Sequence, residues 1–256
     1  MSYTKINEAI WDKWSKEGYR WTQPISAEAF QKAKEGIWDV LLTPSISVPK
    51  TWFGDLKGKR VLGLASGGGQ QGPIFTALGA EVTVMDLSAA QLEAERTVAE
   101  REGYDIELVK ADMTERFPFP NSAFDFIFHP VSNTYVENIE PVWQECYRVL
   151  KKGGSLLSGF TNPEIYLFNE TDKLEDLRVV HPLPYNPLKD FTKKERAELI
   201  KNDGLQFSRT MESQIRGQLK AGFLLKDFYE DFAVTDGDYI LSKFFPQFYA
   251  SLAVKP

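Results

Sequence analysis

The sequence predicts an α/β protein built on a Rossmann-like, doubly wound sheet, and three observations lead to this fold class. A short aliphatic run over 61–64 stops at a small-residue loop that spells Ala-Ser-Gly-Gly-Gly over 65–69. A helix-compatible segment over 73–79 follows. A second apolar run over 82–85 then ends at Asp86. Strand, glycine-rich turn, helix, strand and acid form the nucleotide-binding half of such a sheet.

The glycine-rich turn and the acid predict the kind of ligand. Glycines let the backbone approach a ligand closely, and the start of the next helix offers free N–H groups. The carboxylate at the tip of the second strand can accept hydrogen bonds from a ribose diol. Gly67 and Asp86 lie 19 positions apart, close to the roughly 20 that this unit needs. We therefore predict a nucleoside-containing ligand.

The βα rhythm continues to residue 160. Strands are predicted over 106–109, 124–128 and 156–160, and helices over 88–103 and 138–151. This alternation predicts a parallel sheet with right-handed crossovers.

A single domain, 1–256, is predicted, with four parts. These are a helical N-terminal cover (1–58), a cofactor-binding core (59–160), a flap insertion (161–204) and a closing helix with a strand pair (205–256). The cover is predicted to hold two amphipathic helices, and helical spacing places these residues on their inner faces: Ile6, Ile10 and Trp14 in the first; Phe30, Ala33, Ile37 and Leu41, after a Ser26 cap, in the second.

Later segments are assigned in the same way. A helix over 210–221 is expected to turn Met211, Ile215 and Leu219 inward, and strands are predicted over 223–229 and 247–254. Aromatic residues outside the core are candidates for a lid over the ligand: Tyr19, Trp21, Trp38, Trp52, Phe53, Tyr166 and Tyr185. The acidic residues near the end are expected to form a solvated rim: Asp227, Glu230, Asp231, Asp236 and Asp238.

Composition excludes several classes of partner and binding site. The net charge is −6 and no block of Lys or Arg stands out, which argues against nucleic acid or an anionic membrane as the main partner. The one cysteine, Cys146, excludes an internal disulfide and a Cys-rich zinc site. The N-terminus lacks the layout of a signal peptide. We expect a cytoplasmic monomer or homodimer that binds a small-molecule substrate and no metal.

Two short patterns keep an NAD-dependent oxidoreductase open as an alternative. Residues 67–72 spell GxGxxG, and Tyr147 with Lys151 spells the YxxxK pair of short-chain dehydrogenases. The pair lies at the end of a helix that runs into Gly153-Gly154 and a strand, so Tyr147 is more simply a helix residue beside a C-cap.

A different family accounts for more positions. Residues 61–69 resemble the first motif of class I S-adenosylmethionine-dependent methyltransferases, and Asp86 matches their ribose-binding acid. Ala111-Asp112-Met113 is similar to their third-strand segment, 124–130 to their fourth-strand motif, and 145–154 to their helix-to-fifth-strand junction. The matches follow the family order and cover about residues 60–160.

The resemblance implies a fold, a reaction and a site. It implies seven strands with an antiparallel hairpin at one edge, and transfer of a methyl group from S-adenosylmethionine to an unidentified small molecule. The residues it places at the cofactor are Ala65, Ser66, Gly67, Gly69, Asp86, Leu87, Gln91, Asp112, Met113 and His129.

Individual roles follow from side-chain chemistry. Asp86 would bind the ribose hydroxyls, and Asp112 would accept from the adenine amino group while Met113 packs on the ring. Gln91 is equally a ribose contact or a capping-box partner of Ser88. His129 is the candidate general base; the competing hypothesis is that its backbone binds the methionine part and its ring shapes the pocket.

Two positions depart from the family pattern. An acid is usual where this chain has Gly63, and a glycine where it has Ala65. The missing acid removes a common support for the cofactor, so a non-catalytic S-adenosylmethionine-binding protein is a third hypothesis.

Overall fold

A seven-stranded sheet organises the chain, which a computed structural model describes over residues 2–171, 173–234 and 240–256. The strand order is β3-β2-β1-β4-β5-β7-β6; β1 to β5 pair in parallel, and β7 runs antiparallel to both β5 and β6. The predicted doubly wound sheet with an antiparallel edge hairpin is confirmed. The strands are β1 Arg60–Leu64, β2 Glu81–Asp86, β3 Glu107–Lys110, β4 Phe124–His129, β5 Leu150–Thr161, β6 Leu224–Asp231 and β7 Phe248–Val254.

Helices cover both faces of this sheet and its carboxyl edge. They are α1 Tyr3–Glu17, α2 Ala27–Lys34, α3 Gln71–Ala77, α4 Ala89–Glu102, α5 Glu140–Val149, α6 Pro187–Asp190, α7 Lys193–Asn202 and α8 Met211–Ala221. The predicted caps are present: Ser26 accepts from the Ala29 N–H at 3.1 Å and Ser88 from the Gln91 N–H at 3.1 Å. Gly103 ends α4 in the left-handed conformation that favours glycine.

Alternating side chains of the strands build two cores. Val61 of β1 packs on one face with Phe75 and Phe128, whereas Leu62 packs on the other with Trp143. Strands of a parallel sheet are covered on both faces, which is why these runs read as continuously apolar.

The cover differs from its prediction after α2. Gly36 takes a φ of 84° directly after the helix, so the chain turns away. Ile37 is 63% exposed instead of packing inward. The segment after the turn crosses the sheet, where the Val131 N–H donates to the Leu42 carbonyl at 3.1 Å.

Two predictions near the C-terminus are wrong. Leu219 of α8 is 46% exposed because Gln214 and Gln218 occupy the inner face. Asp231 is fully buried rather than solvated, since it accepts from the Ser45 N–H at 2.9 Å and from the Ser45 hydroxyl. Of the other rim residues, Asp227 accepts from the Trp52 indole at 2.7 Å; Asp236 and Asp238 lie outside the described residues.

A substitution at Gly159 of β5 tests the contact between the cover and the sheet. A Cβ added there would overlap the Leu42 carbonyl, so Gly159→Ala should destabilise the protein by about 1–3 kcal/mol through overpacking. Urea denaturation measures this loss. The control is the neighbouring Ser158→Ala. It removes a buried hydroxyl that has no hydrogen-bond partner among the described residues, so it should cost little. Equal stability of the two variants would contradict the contact.

Candidate active site

A cavity of about 1230 Å³ lies at the carboxyl ends of the parallel strands, beneath the cover. Ligands of open α/β sheets bind at this edge. The volume exceeds the roughly 300–1,000 Å³ of ordinary ligand pockets. The cavity therefore has room for two small molecules side by side.

The glycine-rich loop after β1 forms the floor of one half. Ala65 takes a φ of 48°, a conformation that suits glycine and explains why glycine is usual in this position. A Cβ on Gly67 would lie 2.7 Å from the Gln91 Cβ and 3.0 Å from Asp86 Oδ2. Glycine is thus required where the loop passes between these two side chains.

Asp86 stands at the tip of β2 and faces the cavity. Its Oδ2 accepts from the Gly67 N–H at 3.0 Å and its Oδ1 from the Ser88 N–H at 2.9 Å. Burial raises the pKa of this carboxyl to about 6, against the lowering effect of backbone hydrogen bonds from Ser88, Gly67 and Leu87. The group is therefore ionised at neutral pH, and it keeps acceptor capacity for a ligand.

Two buried polar atoms in this half have no hydrogen-bond partner among the residues that the structure describes. They are Ser66 Oγ and Gln91 Oε1, and both residues line the cavity. Gln91 donates its amide to the Gly67 carbonyl at 3.2 Å instead of closing the predicted capping box. Because buried polar groups are normally satisfied, these atoms fit a polar ligand such as a nucleoside with an amino-acid tail.

Ser66 also accounts for one departure from the family pattern. A Cβ at Gly63 would overlap Ser66 Oγ. An acidic side chain at position 63 would therefore require Ser66 to turn out of its present position.

The next stretch of the cavity wall follows β3. Asp112 Oδ1 accepts from the Thr114 N–H at 2.9 Å and from the Thr114 hydroxyl at 2.7 Å. Both bonds involve Oδ1, so Oδ2 accepts no hydrogen bond from the described residues of this loop. Leu87 and Met113 line the same wall. The cavity wall therefore offers one acceptor oxygen flanked by apolar surface, which suits a purine ring.

Helix α1 of the cover closes this end through acidic side chains that are not among the predicted site residues. Asp12 accepts from the Ser88 hydroxyl at 2.6 Å and from the Ala90 N–H at 3.1 Å, and Glu8 pairs with Lys110 at 2.6 Å. Isolated acids in an amphipathic helix carry no motif, so only the tertiary contact reveals this function.

His129 does not line the cavity. Its ring is fully buried, with Nδ1 2.9 Å from the Leu64 carbonyl and Nε2 2.6 Å from the Asn133 side chain. Burial lowers the pKa of the imidazole, with the hydrogen bonds opposing. The expectation of a base at the reaction centre is therefore corrected: the ring lies behind the cavity wall.

The protonation of His129 follows from its partners. Carbonyl oxygens at both nitrogens would require an imidazolium, which burial disfavours. A neutral ring donates from Nδ1 to Leu64, so the Asn133 amide must turn its NH₂ toward Nε2. Asn133 meets Gln214 Oε1 at 3.2 Å, so the Gln214 amide turns as well and donates its NH₂ to the Asn133 carbonyl. This network fastens the end of β1 to the loop after β4 and to α8.

The other half of the cavity has a hydroxyl–amide cluster. Tyr166 donates to Gln206 Oε1 at 2.8 Å and hydrogen-bonds Thr134. Burial raises the pKa of Tyr166 to about 12, so the phenol remains a donor at neutral pH. No sequence pattern indicates Thr134 or Gln206 as site residues. The surrounding wall is largely apolar: Leu41, Leu42, Val131, Ile165 and Phe248.

The candidate lid residues divide into two groups. Tyr19, Trp21, Trp38 and Tyr166 line the cavity. Trp52, Phe53 and Tyr185 are buried in packing contacts instead.

Comparison with known proteins identifies the family. A methyltransferase domain matches residues 62–158. The methyltransferase YbaJ of Bacillus subtilis is 44% identical over 251 residues, which span 97% of both chains. The ubiquinone/menaquinone biosynthesis C-methyltransferase UbiE of Bartonella henselae is 31% identical over 137 residues, covering 52% of this chain and 47% of its own. The chain belongs to the class I S-adenosylmethionine-dependent methyltransferases.

Solved structures show the same fold. An S-adenosylmethionine-dependent methyltransferase from Mesorhizobium loti aligns with a TM-score of 0.61 at 19% identity, over 80% of this chain and 94% of its own. Geranyl diphosphate methyltransferase in complex with S-adenosylmethionine aligns with a TM-score of 0.56 at 15% identity, over 80% and 82%. S-Adenosylmethionine is the methyl donor, and the oxidoreductase alternative finds no support.

Tyr147, which suggested the oxidoreductase alternative, has a packing role in the structure. Its ring packs edge-on against Phe223 at 5.2 Å, and a Cβ on Gly222 would lie 2.8 Å from it. The residue holds α5 against the turn after α8 and is not among the cavity-lining residues.

His129→Ala should destabilise the protein by about 2–4 kcal/mol, because it leaves the Leu64 carbonyl and the Asn133 amide unpaired beside a void. The pKa of the native ring is lowered, so its contribution is present above the unfolded-state value of about 6.5 and is lost as pH falls through the native value. Denaturation of both proteins at pH 7.5 and pH 5 measures the difference.

His181→Ala, in the flap, controls for loss of an imidazole outside this network. The opposite result would be a His129→Ala protein of normal stability whose turnover rate no longer falls at acidic pH. That result would support His129 as the general base.

Proposed function

We propose that this methyltransferase acts on a small, largely apolar molecule held between the hydroxyl–amide cluster and the cover. The observation that carries the proposal is the division of one large cavity into two kinds of wall. The loop, β2 and β3 supply a polar wall with unpartnered atoms. The cover, β5 and β7 supply an apolar wall with Tyr166 at its edge.

The polar half is proposed to hold the cofactor. Asp86 accepts from the ribose hydroxyls, Asp112 Oδ2 from the adenine amino group, and Leu87 and Met113 pack on the base. Backbone groups of Ala65 and Gly67, with Ser66 Oγ and Gln91 Oε1, complete the contacts.

Two residues predicted to contact the cofactor, Gly69 and His129, are proposed to support the site without touching the ligand. The Gly69 N–H donates to Glu95 at 2.8 Å, so it serves the loop rather than the ligand. The His129 ring is held in its own network and acts by fixing the ends of β1 and β4.

The chemistry asks little of the protein beyond placement. S-Adenosylmethionine supplies an electrophilic methyl group on a sulfonium. The chain aligns the acceptor with that methyl and excludes water, and alignment alone contributes strongly to such transfers. Trp21 and Trp38 of the cover line the cavity and are proposed to shield it.

Tyr166, Thr134 and Gln206 are proposed to orient a polar group of the acceptor. The raised pKa of Tyr166 makes it a hydrogen-bond donor rather than a proton acceptor. The acceptor is therefore proposed to reach the cavity with its nucleophilic lone pair already available.

The proposal also covers the location, oligomeric state and substrate class of the protein. No helix among the described residues could span a membrane, and the net charge of −6 disfavours nucleic acid as a substrate. We propose a cytoplasmic monomer or homodimer with a small-molecule acceptor.

Asp86→Ala should weaken S-adenosylhomocysteine binding by about 1.5–3 kcal/mol, through loss of charge-assisted hydrogen bonds. In the wild type, affinity should also fall as pH drops below about 6, where the raised pKa of Asp86 protonates the carboxyl. Calorimetry between pH 5 and pH 7.5 tests both effects. Exposed Glu93→Ala on α4 is the control; wild-type affinity in Asp86→Ala would refute the ribose contact.

Tyr166→Phe should lower methyl transfer about 10-fold, as expected for loss of one hydrogen bond in an enclosed site, and should leave S-adenosylhomocysteine affinity unchanged. Transfer of a labelled methyl group into a metabolite extract provides the assay. The control is Tyr185→Phe, since that ring stacks behind Tyr166 at 5.2 Å and is not among the lining residues. Equal activity of both variants would remove Tyr166 from the acceptor site.

A further inference from the structure

A fully buried carboxyl group lies beneath the glycine-rich loop. It belongs to Glu95 of α4, whose Oε1 accepts from the Gly69 N–H at 2.8 Å. The Gln70 backbone also hydrogen-bonds this carboxyl. Oε2 is buried and accepts no hydrogen bond from the described part of the chain. No part of the sequence motif includes this residue.

The loop is shaped around this side chain. A Cβ on Gly72 would lie 2.7 Å from Glu95 Oε2, and a Cβ on Gly69 would lie 3.0 Å from the Ala94 carbonyl. Gly69 and Gly72 therefore let the loop rest directly on α4. Burying a carboxyl group costs free energy, so its retention here, bonded to loop amides, indicates a role in holding the loop.

Position 63, at the end of β1, is a glycine and supplies no side chain to the loop. Two carboxyl groups accept from loop amides: Asp86 of β2 accepts from the Gly67 N–H, and Glu95 of α4 from the Gly69 N–H.

We propose that Glu95 is a positioning residue, which holds the loop over 67–72 in the form that receives the methyl donor. The inference rests on the proposed function, in which this loop binds the cofactor. Glu95 acts through the backbone of Gly69 and Gln70 and makes no contact with the ligand itself.

The carboxyl supports the loop in its neutral form. Burial raises the pKa of Glu95 to about 8, and the nearby charge of Asp86 adds to the effect. The other titratable group that faces it is Tyr104, whose pKa it helps to raise; α3 carries no charged residue. Because the pKa is raised, the stabilising contribution is lost as pH rises through about 8.

Calorimetric titration with S-adenosylhomocysteine from pH 6.5 to pH 9 tests whether Glu95 positions the loop. The proteins compared are the wild type, Glu95→Gln, Glu95→Ala and the control Glu100→Gln, which changes an exposed residue of the same helix. Wild-type and Glu100→Gln affinity should fall up to about tenfold by pH 9. Glu95→Gln, which mimics the neutral acid, should bind within about threefold of the wild type at pH 7 and stay level to pH 9. Glu95→Ala should bind at least about tenfold more weakly at every pH.

Denaturation without ligand supplies a second readout. The stability of the wild type should decline between pH 7 and pH 9, and that of Glu95→Gln should not; this comparison holds even if Glu95→Ala fails to fold. An alkaline decline in Glu95→Gln equal to that of the wild type, or wild-type affinity in Glu95→Ala, would overturn the proposal. A wild type that binds no S-adenosylhomocysteine at any pH would instead overturn the proposed function on which it rests.

Discussion

The site depends on the fastening of one loop. Between β1 and α3 the chain has almost no side chains of its own to pack, so its path is set by neighbours. Asp86 holds the Gly67 amide, Gln91 holds the Gly67 carbonyl, and Glu95 holds the Gly69 amide. All three come from β2 and α4, the next elements along the chain. The binding surface is thus a backbone surface, and the side chains that define it lie beneath or beside it.

Much of this arrangement is legible in the sequence because it is local. The order of strands and helices follows from apolar runs, caps and glycines, and the ligand-facing ends of β1 and β2 follow from the spacing of Gly67 and Asp86. The resemblance to one family then supplied the cofactor and the antiparallel edge. Neighbouring positions along the chain produce these features, so short patterns suffice to predict them.

The residues that sequence reasoning misjudged depend on contacts between distant segments. His129 looked catalytic at a strand end, but its ring turns inward to the Leu64 carbonyl, 65 positions away. Glu95 lies in the predicted helix over 88–103 and has no predicted role there, because only the path of the loop above α4 shows that it is buried. Asp231 looked like part of an acidic surface, yet it caps the Ser45 segment of the cover. Polar side chains at such positions carry no periodic pattern that would separate burial from exposure.

The Val131 N–H donates to the Leu42 carbonyl and so joins the cover to the loop after β4. This contact lies between two parts of the molecule that have different proposed tasks. Under the proposed function, the methyl donor is held by the central strands, which lie largely within the residues 62–158 that match the methyltransferase domain. Contacts with the acceptor then fall to the segments before β1 and after β5, which rest on that scaffold without joining its parallel ladder. A change in these outer segments would then alter the acceptor, while the residues that hold the donor stay as they are.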